Sequence, residues 1–324
     1  MLSRRSVLCA AGAALLAGSS SAFAQPAYPT KPLRILVPFA PGGSLDPVAR
    51  LVAERLTQAW GQPVVVDNRP GGNTAIATLA AAKAPADGHT LLLTASTHVI
   101  NPLLMNNLPY DSEKDFIPLV MLIKSEFVLV VHPSVPASTL QEFIALAKAR
   151  PGKIDYATAG HGNGNHIAAE LFSQVAGVKM HHVPYKGGGQ AVQDLIGGQV
   201  HALFSVPFTA MPHIRAGKLR ALAHTGTTAP RGLTGVPSFA QAGLPQFDLR
   251  SWQGIMAPAG TPKLAVDKLV AELTRIMNDA DVQEKLAATG QEVWVHGPDA
   301  FAQIMKSDTQ KFGDIIRTAN IKLE

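Results

Sequence analysis

The chain is short of several things, and each shortage removes a class of protein. Of its 324 residues only Cys9 is a cysteine, and it lies in an N-terminal leader. The rest of the chain is therefore expected to have no disulfides and to be held together by its core. Aromatic residues make up 6% of the chain and charged residues 16%, with no run of Lys and Arg. That balance argues against a nucleic-acid surface. The net charge is +5, and two of the positive charges, Arg4 and Arg5, belong to the leader. A mildly positive field suits a small anionic ligand.

The leader, MLSRRSVLCAAGAALLAGSSSAFA, covers residues 1–24. It has a basic start, an apolar stretch over residues 7–17 and Ala22-Phe23-Ala24 as an A-x-A cleavage site. The apolar stretch is too short to span a bilayer. The motif SRRSVL fits a twin-arginine export signal, with the Sec route equally open. Cys9 lacks the Leu-x-small spacing of a lipoprotein box, so no lipid anchor is expected. The mature protein is expected to start at Gln25 in the periplasm. Its length, about 300 residues, is enough for two domains.

Beyond the leader, aliphatic runs alternate with amphipathic stretches, the pattern of an α/β fold. Strands are predicted at 34–39, 64–68, 90–95, 128–132, 154–157, 179–183, 202–204 and 219–223. Helical stripes run through Val48, Leu51, Val52, Leu56 and Ala59, through Ala168, Leu171, Phe172 and Val175, and through Val192, Leu195 and Ile196. Gly61, Gly177 and Gly197 follow these stripes where left-handed C-cap residues are expected. From Pro262 onward the chain reads as mostly helical.

Three times a strand passes through a glycine-rich turn straight into a helix: VPFAPGGSLDPVAR, YATAGHGNGNHIAAELF and VPYKGGGQAVQDLIGG. In parallel α/β sheets, ligands sit at the carboxyl ends of strands. In the first turn Gly42 and Gly43 let successive N–H groups face one concavity. Ser44 or Asp46 is expected to cap the helix, with Pro47 in its first turn. A carboxylate there would gain charge-assisted bonds and the helix dipole. A plain strand–helix connection with no ligand is the alternative. The charge of Asp46 would repel an anion unless its side chain turns back onto the helix start or the opposite wall.

The second turn places Thr158, Gly160, His161, Gly162, Asn163, Gly164 and Asn165 directly before a helix. Its glycines only partly match G-x-G-x-x-G, and no acidic residue ends a strand at the distance a dinucleotide site needs. No Gly-Lys-Ser/Thr follows, so it is not a Walker loop. Small-anion capture remains. The 11 histidines do not make a metal site, because H-E-x-x-H and cysteine pairings are missing. His181 and His182 are adjacent on a strand and point to opposite faces. Only His161 and His166 lie in a suspected ligand turn. No G-x-S-x-G elbow is present, so Ser44, Asp46 and His166 form a triad only on paper. No catalytic residue and no cofactor is assigned.

Several segments carry a resemblance to a known family: YPTKPLRILVPFAPGGSLDPVARLVAERL, VVVDNRPGGNTAIA, PADGHTLLL, GNGNHIAAELF, VPYKGGGQAVQDLIGGQV, MPHIRAGKLRALA and SWQGIMAPAGTP. In order, and over essentially the whole mature chain, the sequence resembles the Bug family of periplasmic solute-binding proteins, the receptors of tripartite tricarboxylate transporters. The resemblance implies a type II periplasmic-binding fold, two α/β lobes joined by crossover hinge strands and closing on a ligand. One lobe would comprise residues 25–124 and 225–324, the other residues 125–224, with crossovers near 119–130 and 219–225.

The resemblance also implies that a ligand carboxylate is gripped by the turn of Pro41, Gly42, Gly43, Ser44 and Asp46, beside Phe39, and by the turn from Thr158 to His166. By analogy Ser96, Thr97, Tyr185, Lys186, Gly187 and Gly188 line the same cleft. Ser205 and His201 stand where the family commonly has acids. The missing carboxylate at Ser205 shifts the expected ligand from amino acids to plain mono- or dicarboxylates. His161, where small polar residues are usual, adds a donor for a second anionic group. The expected function is a monomeric receptor that presents a small organic carboxylate to a membrane permease. A receptor reporting to a membrane signalling protein is the runner-up, and a hydrolase-like enzyme is the contrasting class.

Overall fold

The computed structural model describes residues 28–322. The leader, Cys9 and the expected cleavage site lie outside the described residues. The first part of the chain runs β1 (Leu33–Val37), α1 (Asp46–Trp60), β2 (Val64–Asn68), α2 (Ala75–Ala82), β3 (Thr90–Ala95), α3 (Thr97–Leu104) and β4 (Phe116–Glu126). The middle part continues with β5 (Val128–Val131), α4 (Leu140–Ala149), β6 (Asp155–Thr158), α5 (Gly164–Ala176), β7 (His181–Pro184), α6 (Gly188–Ile196), β8 (Ala202–Ser205), α7 (Pro207–Arg215) and β9 (Arg220–His224). The last part holds β10 (Arg250–Pro258), α8 (Lys263–Met277), α9 (Ala280–Ala288), β11 (Glu292–His296) and α10 (Pro298–Ala319).

These elements form two sheets. A six-stranded sheet has the order β11-β4-β10-β3-β1-β2, and a five-stranded sheet the order β7-β6-β8-β5-β9. In the first sheet β1 pairs in parallel with β2 and β3. In the second, β6 pairs in parallel with β7 and β8. Their carboxyl ends carry the three glycine-rich turns. The inner strands β3 and β8 are buried along nearly their whole length, which is why they read as apolar runs rather than alternating ones, whereas the edge strands β2 and β7 are half-buried.

The predicted helix ends hold at Gly61 and Gly177, which adopt left-handed φ values of 66° and 62°. Gly197 does not: its φ is −76°, and its N–H still reaches Gln193 O as a helical residue would. The left-handed turn falls one residue later, at Gly198 with φ 70°. Where two glycines are adjacent, the helix uses the first as a further turn residue and reverses at the second.

The chain crosses between sheets twice. Only Phe127 separates β4, in the first sheet, from β5, in the second. On the return, the chain first packs Phe239 and Phe247 against Phe172 and Phe204 of the five-stranded side, with ring centroids 5.7–6.2 Å apart. It then rejoins the first sheet as β10. Thr225 ties the crossings together: its N–H donates to Phe127 O at 2.9 Å, and its hydroxyl accepts the Phe127 N–H at 2.8 Å and donates to Glu126 Oε2 at 2.8 Å.

Helix α10 spans the back of both halves. Its Phe301 meets Trp252 edge-on at 5.2 Å, and Asp308 Oδ2 accepts the Trp252 indole N–H at 2.8 Å. Near its end Ile315 O accepts from Gln174 Nε2 of α5 at 3.4 Å. Among the described residues no helix is long and apolar enough to cross a membrane.

Candidate functional site

The first turn joins β1 to α1 across residues 38–45. Gly42 takes a φ of 80°, a conformation that favours glycine. The expected cap by Ser44 or Asp46 is not formed: the N-cap is Leu45, which makes no side-chain cap bond. Asp46 instead folds back, its Oδ2 accepting from Gly42 N at 3.1 Å and Arg50 Nε at 3.0 Å. One of the turn's amides is thus already taken by the protein. Burial opposes ionisation of Asp46, but the bonds from Arg50, Gly42 and Asn68 outweigh it and hold its pKa below the ordinary 3.8. The N–H groups of Ser44 and Leu45 have no acceptor among the described residues.

Two glutamines not assigned to the site, Gln253 in the segment SWQGIMAPAGTP and Gln291, hold this turn from below. Ser44 O accepts from Gln291 Nε2 at 2.9 Å and from Gln253 Nε2 at 3.4 Å. Phe39 packs half-buried on the core, and its carbonyl accepts from Asn68 Nδ2 at 3.1 Å. Pro41 and Gly42 lie exposed at the rim.

The second turn is closed largely by its own groups. Thr158 Oγ1 donates to Gly160 O at 2.9 Å and accepts from Gly160 N at 3.3 Å. Asn163 caps α5, its Oδ1 accepting from His166 N at 3.0 Å, while Gly162 N donates to His166 Nδ1 at 3.0 Å. Gly160 and Gly162 have φ values of 137° and 67°. Asn165 Nδ2 donates to Phe204 O, tying the turn to the end of β8. The N–H groups of Gly164 and Asn165, at the start of α5, have no acceptor among the described residues. They form the open, electropositive end of the helix.

Under this turn the sequence-separated histidines converge. The rings of His166 and His182 stack at 4.0 Å, and His161 meets them edge-on at 6.0 and 4.8 Å. Burial pushes His166 down to about 4, helped by His161, and His182 down to about 3, helped by His166 and its neighbours. His181, on the opposite face of β7, bonds Asp155 in solvent at 2.9 Å.

The decisive contact joins the two sheets. A Cβ placed on Gly164 would lie 3.6 Å from Ser96 Oγ, at the end of β3, and 3.1 Å from Phe127 Cζ, at the crossover. Ser96 Oγ in turn is 3.2 Å from Ser251 Oγ of β10. The start of α5 and the end of β3 therefore meet at the crossover, where a Cβ at 164 would be in ordinary contact with Ser96 and tight only against Phe127. Thr97 follows as the first residue of α3, buried, with no partner for its hydroxyl among the described residues.

The third turn lies beside the second. Tyr185 N donates to Thr158 O at 3.0 Å, and a Cβ on Gly160 would lie 3.5 Å from Tyr185 O. The Tyr185 hydroxyl points to its own helix, donating to Asp194 Oδ2 at 2.8 Å, and burial with this bond pushes its pKa up to about 12. Lys186 is exposed, and Gly187 and Gly188 open α6. Ser205 is buried at the end of β8 and donates to Val206 O at 3.2 Å, so its hydroxyl is spent within its own strand end.

Over residues 48–321 the chain matches TctC, the tripartite tricarboxylate transporter family receptor. The chain belongs to the TctC family. Protein BugT of Bordetella pertussis is 36% identical over 310 residues, covering 95% of this chain and 95% of its own. Among solved structures, R. palustris Rpa4515 with adipate superposes with a TM-score of 0.88 at 32% identity, over 91% of this chain and 99% of that one. MatC from Rhodopseudomonas palustris with bound malate gives a TM-score of 0.83 at 31% identity, over 89% of this chain and 100% of its own. As a TctC receptor the chain is a solute-binding protein, and its two sheets form the two lobes of a type II periplasmic-binding fold.

Proposed function

We propose that this chain is exported to the periplasm, captures a small organic mono- or dicarboxylate between its lobes, and presents it to a tripartite tricarboxylate-type membrane permease. In this reading residues 25–124 and 225–324 form one lobe and residues 125–224 the other, hinged at Phe127 and Thr225, with the returning stretch that bears Phe239 and Phe247 packed against the second lobe before β10. The observation that carries it is the approach of Gly164 to Ser96, which brings an open helix start on one sheet to a strand end on the other. The free amides of Ser44, Leu45, Gly164 and Asn165 are donors without acceptors among the described residues. Such paired amide pockets suit an oxyanion. The adipate and malate held by TctC-like neighbours support a carboxylate as the ligand class. Ser205 offers no carboxylate for an ammonium group, which favours plain acids over amino acids. Capture and closure account for the role without a reacting group, so the reading assigns no catalysis.

The test is a thermal-shift screen of organic acids, adipate and malate included, on protein that has been unfolded, dialysed and refolded to remove carried ligand. An acid at 100 times its dissociation constant stabilises by about 2.7 kcal/mol. A shift with one or more mono- or dicarboxylates is expected. No shift with any of them, or turnover of a carboxylate ester, would overturn the reading.

A further inference from the structure

The second turn is built on imidazoles, and the bonds they make have a required protonation state. His166, in the first turn of α5, accepts Gly162 N–H through Nδ1 at 3.0 Å. That bond needs the Nδ1 lone pair, which places the proton on Nε2. His182, on β7, lies 2.6 Å from Thr158 Oγ1 through Nε2. Thr158 gives its own proton to Gly160 O at 2.9 Å, so His182 is the donor in that pair. One imidazole therefore fixes Gly162 directly, and the other fixes Gly160 through a hydroxyl.

The surroundings keep both rings uncharged. Tyr156 of β6 stacks on His182 at 5.0 Å, His166 stacks on His182 at 4.0 Å, and Tyr156 lies 6.4 Å from His166. From the turn itself His161 adds a third imidazole, and His181 is the adjacent titratable group on β7. One carboxylate is in reach: Glu170 of α5, whose Oε1 is 3.9 Å from His166 Nε2 and accepts the Tyr156 hydroxyl. Asp155, at the start of β6, is engaged with His181 and His201. A single partly shared acid against three imidazoles cannot neutralise a second proton on the stack.

We propose that His166 and His182 are positioning residues of the carboxylate turn, and that His166 holds Gly162 only while its ring is neutral, so that a proton on His166 Nδ1 takes the turn apart and releases its ligand, whereas His182, a donor through Nε2, keeps its bond in either state. A proton at Nδ1 would set a donor against the Gly162 N–H donor, and the turn would have to rearrange. This rests on the carboxylate reading above. Burial already disfavours the charged rings, which puts the change on the acid side, near and below pH 4 for His166.

The test compares wild type with His166→Asn and His166→Leu, using adipate and malate as calorimetric probes from pH 7.5 down to about pH 3, with His166→Asn reporting the loss that comes from protonation of the acids themselves. Asn places its amide oxygen where Nδ1 stands and does not titrate there. His166→Asn, which keeps an acceptor for Gly162 N–H, is expected to bind more tightly than His166→Leu at pH 7.5 and to lose less affinity than wild type on acidification. His166→Leu is expected to bind about tenfold more weakly, the loss of one buried hydrogen bond. Parallel losses in wild type and His166→Asn, or full affinity in His166→Leu, would overturn the proposal. A second readout needs no ligand: 15N shifts should show His166 as the Nε2–H tautomer, and Gly162 amide exchange should quicken in His166→Leu but not in His166→Asn. If wild type binds neither acid at pH 7.5, the wider screen of organic acids decides the carboxylate reading, while these spectra decide whether the imidazole holds the turn.

Discussion

At the level of single residues, the site is decided by what Gly164 and Asp46 do with very little space. Gly164 has ordinary helical backbone angles, so alanine is free to adopt them, and the constraint is its neighbours alone. A methyl group there would sit 3.1 Å from Phe127 and 3.6 Å from Ser96 Oγ. Gly164→Ala is expected to lower carboxylate affinity about tenfold or more by holding the lobes apart, while the melting temperature of the free protein moves by only a few degrees. Calorimetry and thermal melts on the same variant check this, and an unchanged affinity would show that the lobes do not close on this glycine.

Asp46 shows where the residues were legible and where they were not. Its charge conflict with a bound anion is plain in the sequence, and so is the need for the side chain to turn back. The partner is not plain, because bonding to Gly42 rather than capping α1 depends on how the turn coils. Gln253 and Gln291 were invisible for a different reason. They reach Ser44 from positions 209 and 247 residues away, and no local pattern encodes such a contact.

At the scale of elements, the inner strands β3 and β8 were readable because burial along nearly their whole length gives them apolar runs. β10 and β11 escaped notice because their patterns are interrupted. β10 contains Gly254 and ends at Pro258, and β11 is a half-buried edge strand. Gly254 is the price of a close approach. A Cβ there would lie 2.4 Å from Phe301 Cζ and 3.3 Å from Val120 O, at a register shift in the pairing of β10 with β4. Gly254→Ala is expected to destabilise the fold by about 1–3 kcal/mol, because the Phe301 ring and α10 must move outward. Denaturant melts would measure it, and a loss below about 0.5 kcal/mol would mean that α10 is loosely seated.

Across the whole molecule, burial of neutral imidazoles makes the fold sensitive to acid. His98, His166 and His182 have pKa values of about 4, 4 and 3 against an ordinary 6.5. Below pH 6.5 the unfolded chain takes up protons that the folded chain refuses, so stability falls as pH falls, down to the folded values. The slope is at most about 1.4 kcal/mol per pH unit for each histidine. Carboxylates with lowered pKa values, Asp46 among them, lose their contribution only below about pH 4. A melting temperature that declines between pH 6.5 and 4.5 is therefore assigned to the histidines, and a flat profile there would contradict their burial.

Closure of the two lobes turns on the crossover, where one hydroxyl serves both strands. Thr225 Oγ1 accepts from Phe127 N and donates to Glu126 Oε2, each at 2.8 Å. Burial already raises the pKa of Glu126, and the Thr225 bond opposes that rise ahead of the more distant Arg250 and Lys124. Gly226 follows with no room for a side chain, since a Cβ would lie 2.9 Å from Thr228 O and 3.0 Å from Glu126 Cγ. The two crossings are thus tied together at one point. Thr225→Val keeps the shape and removes both bonds, leaving the Phe127 N–H and the Glu126 carboxylate short of a partner, at a cost of about 1–3 kcal/mol. If the hydroxyl also sets the hinge, small-angle scattering should show a broader, more open unliganded protein, and ligand should bind more weakly than the loss of stability alone explains. A lowered melting temperature with unchanged scattering and affinity would reduce Thr225 to an ordinary structural bond and move the pivot elsewhere along the crossing strands.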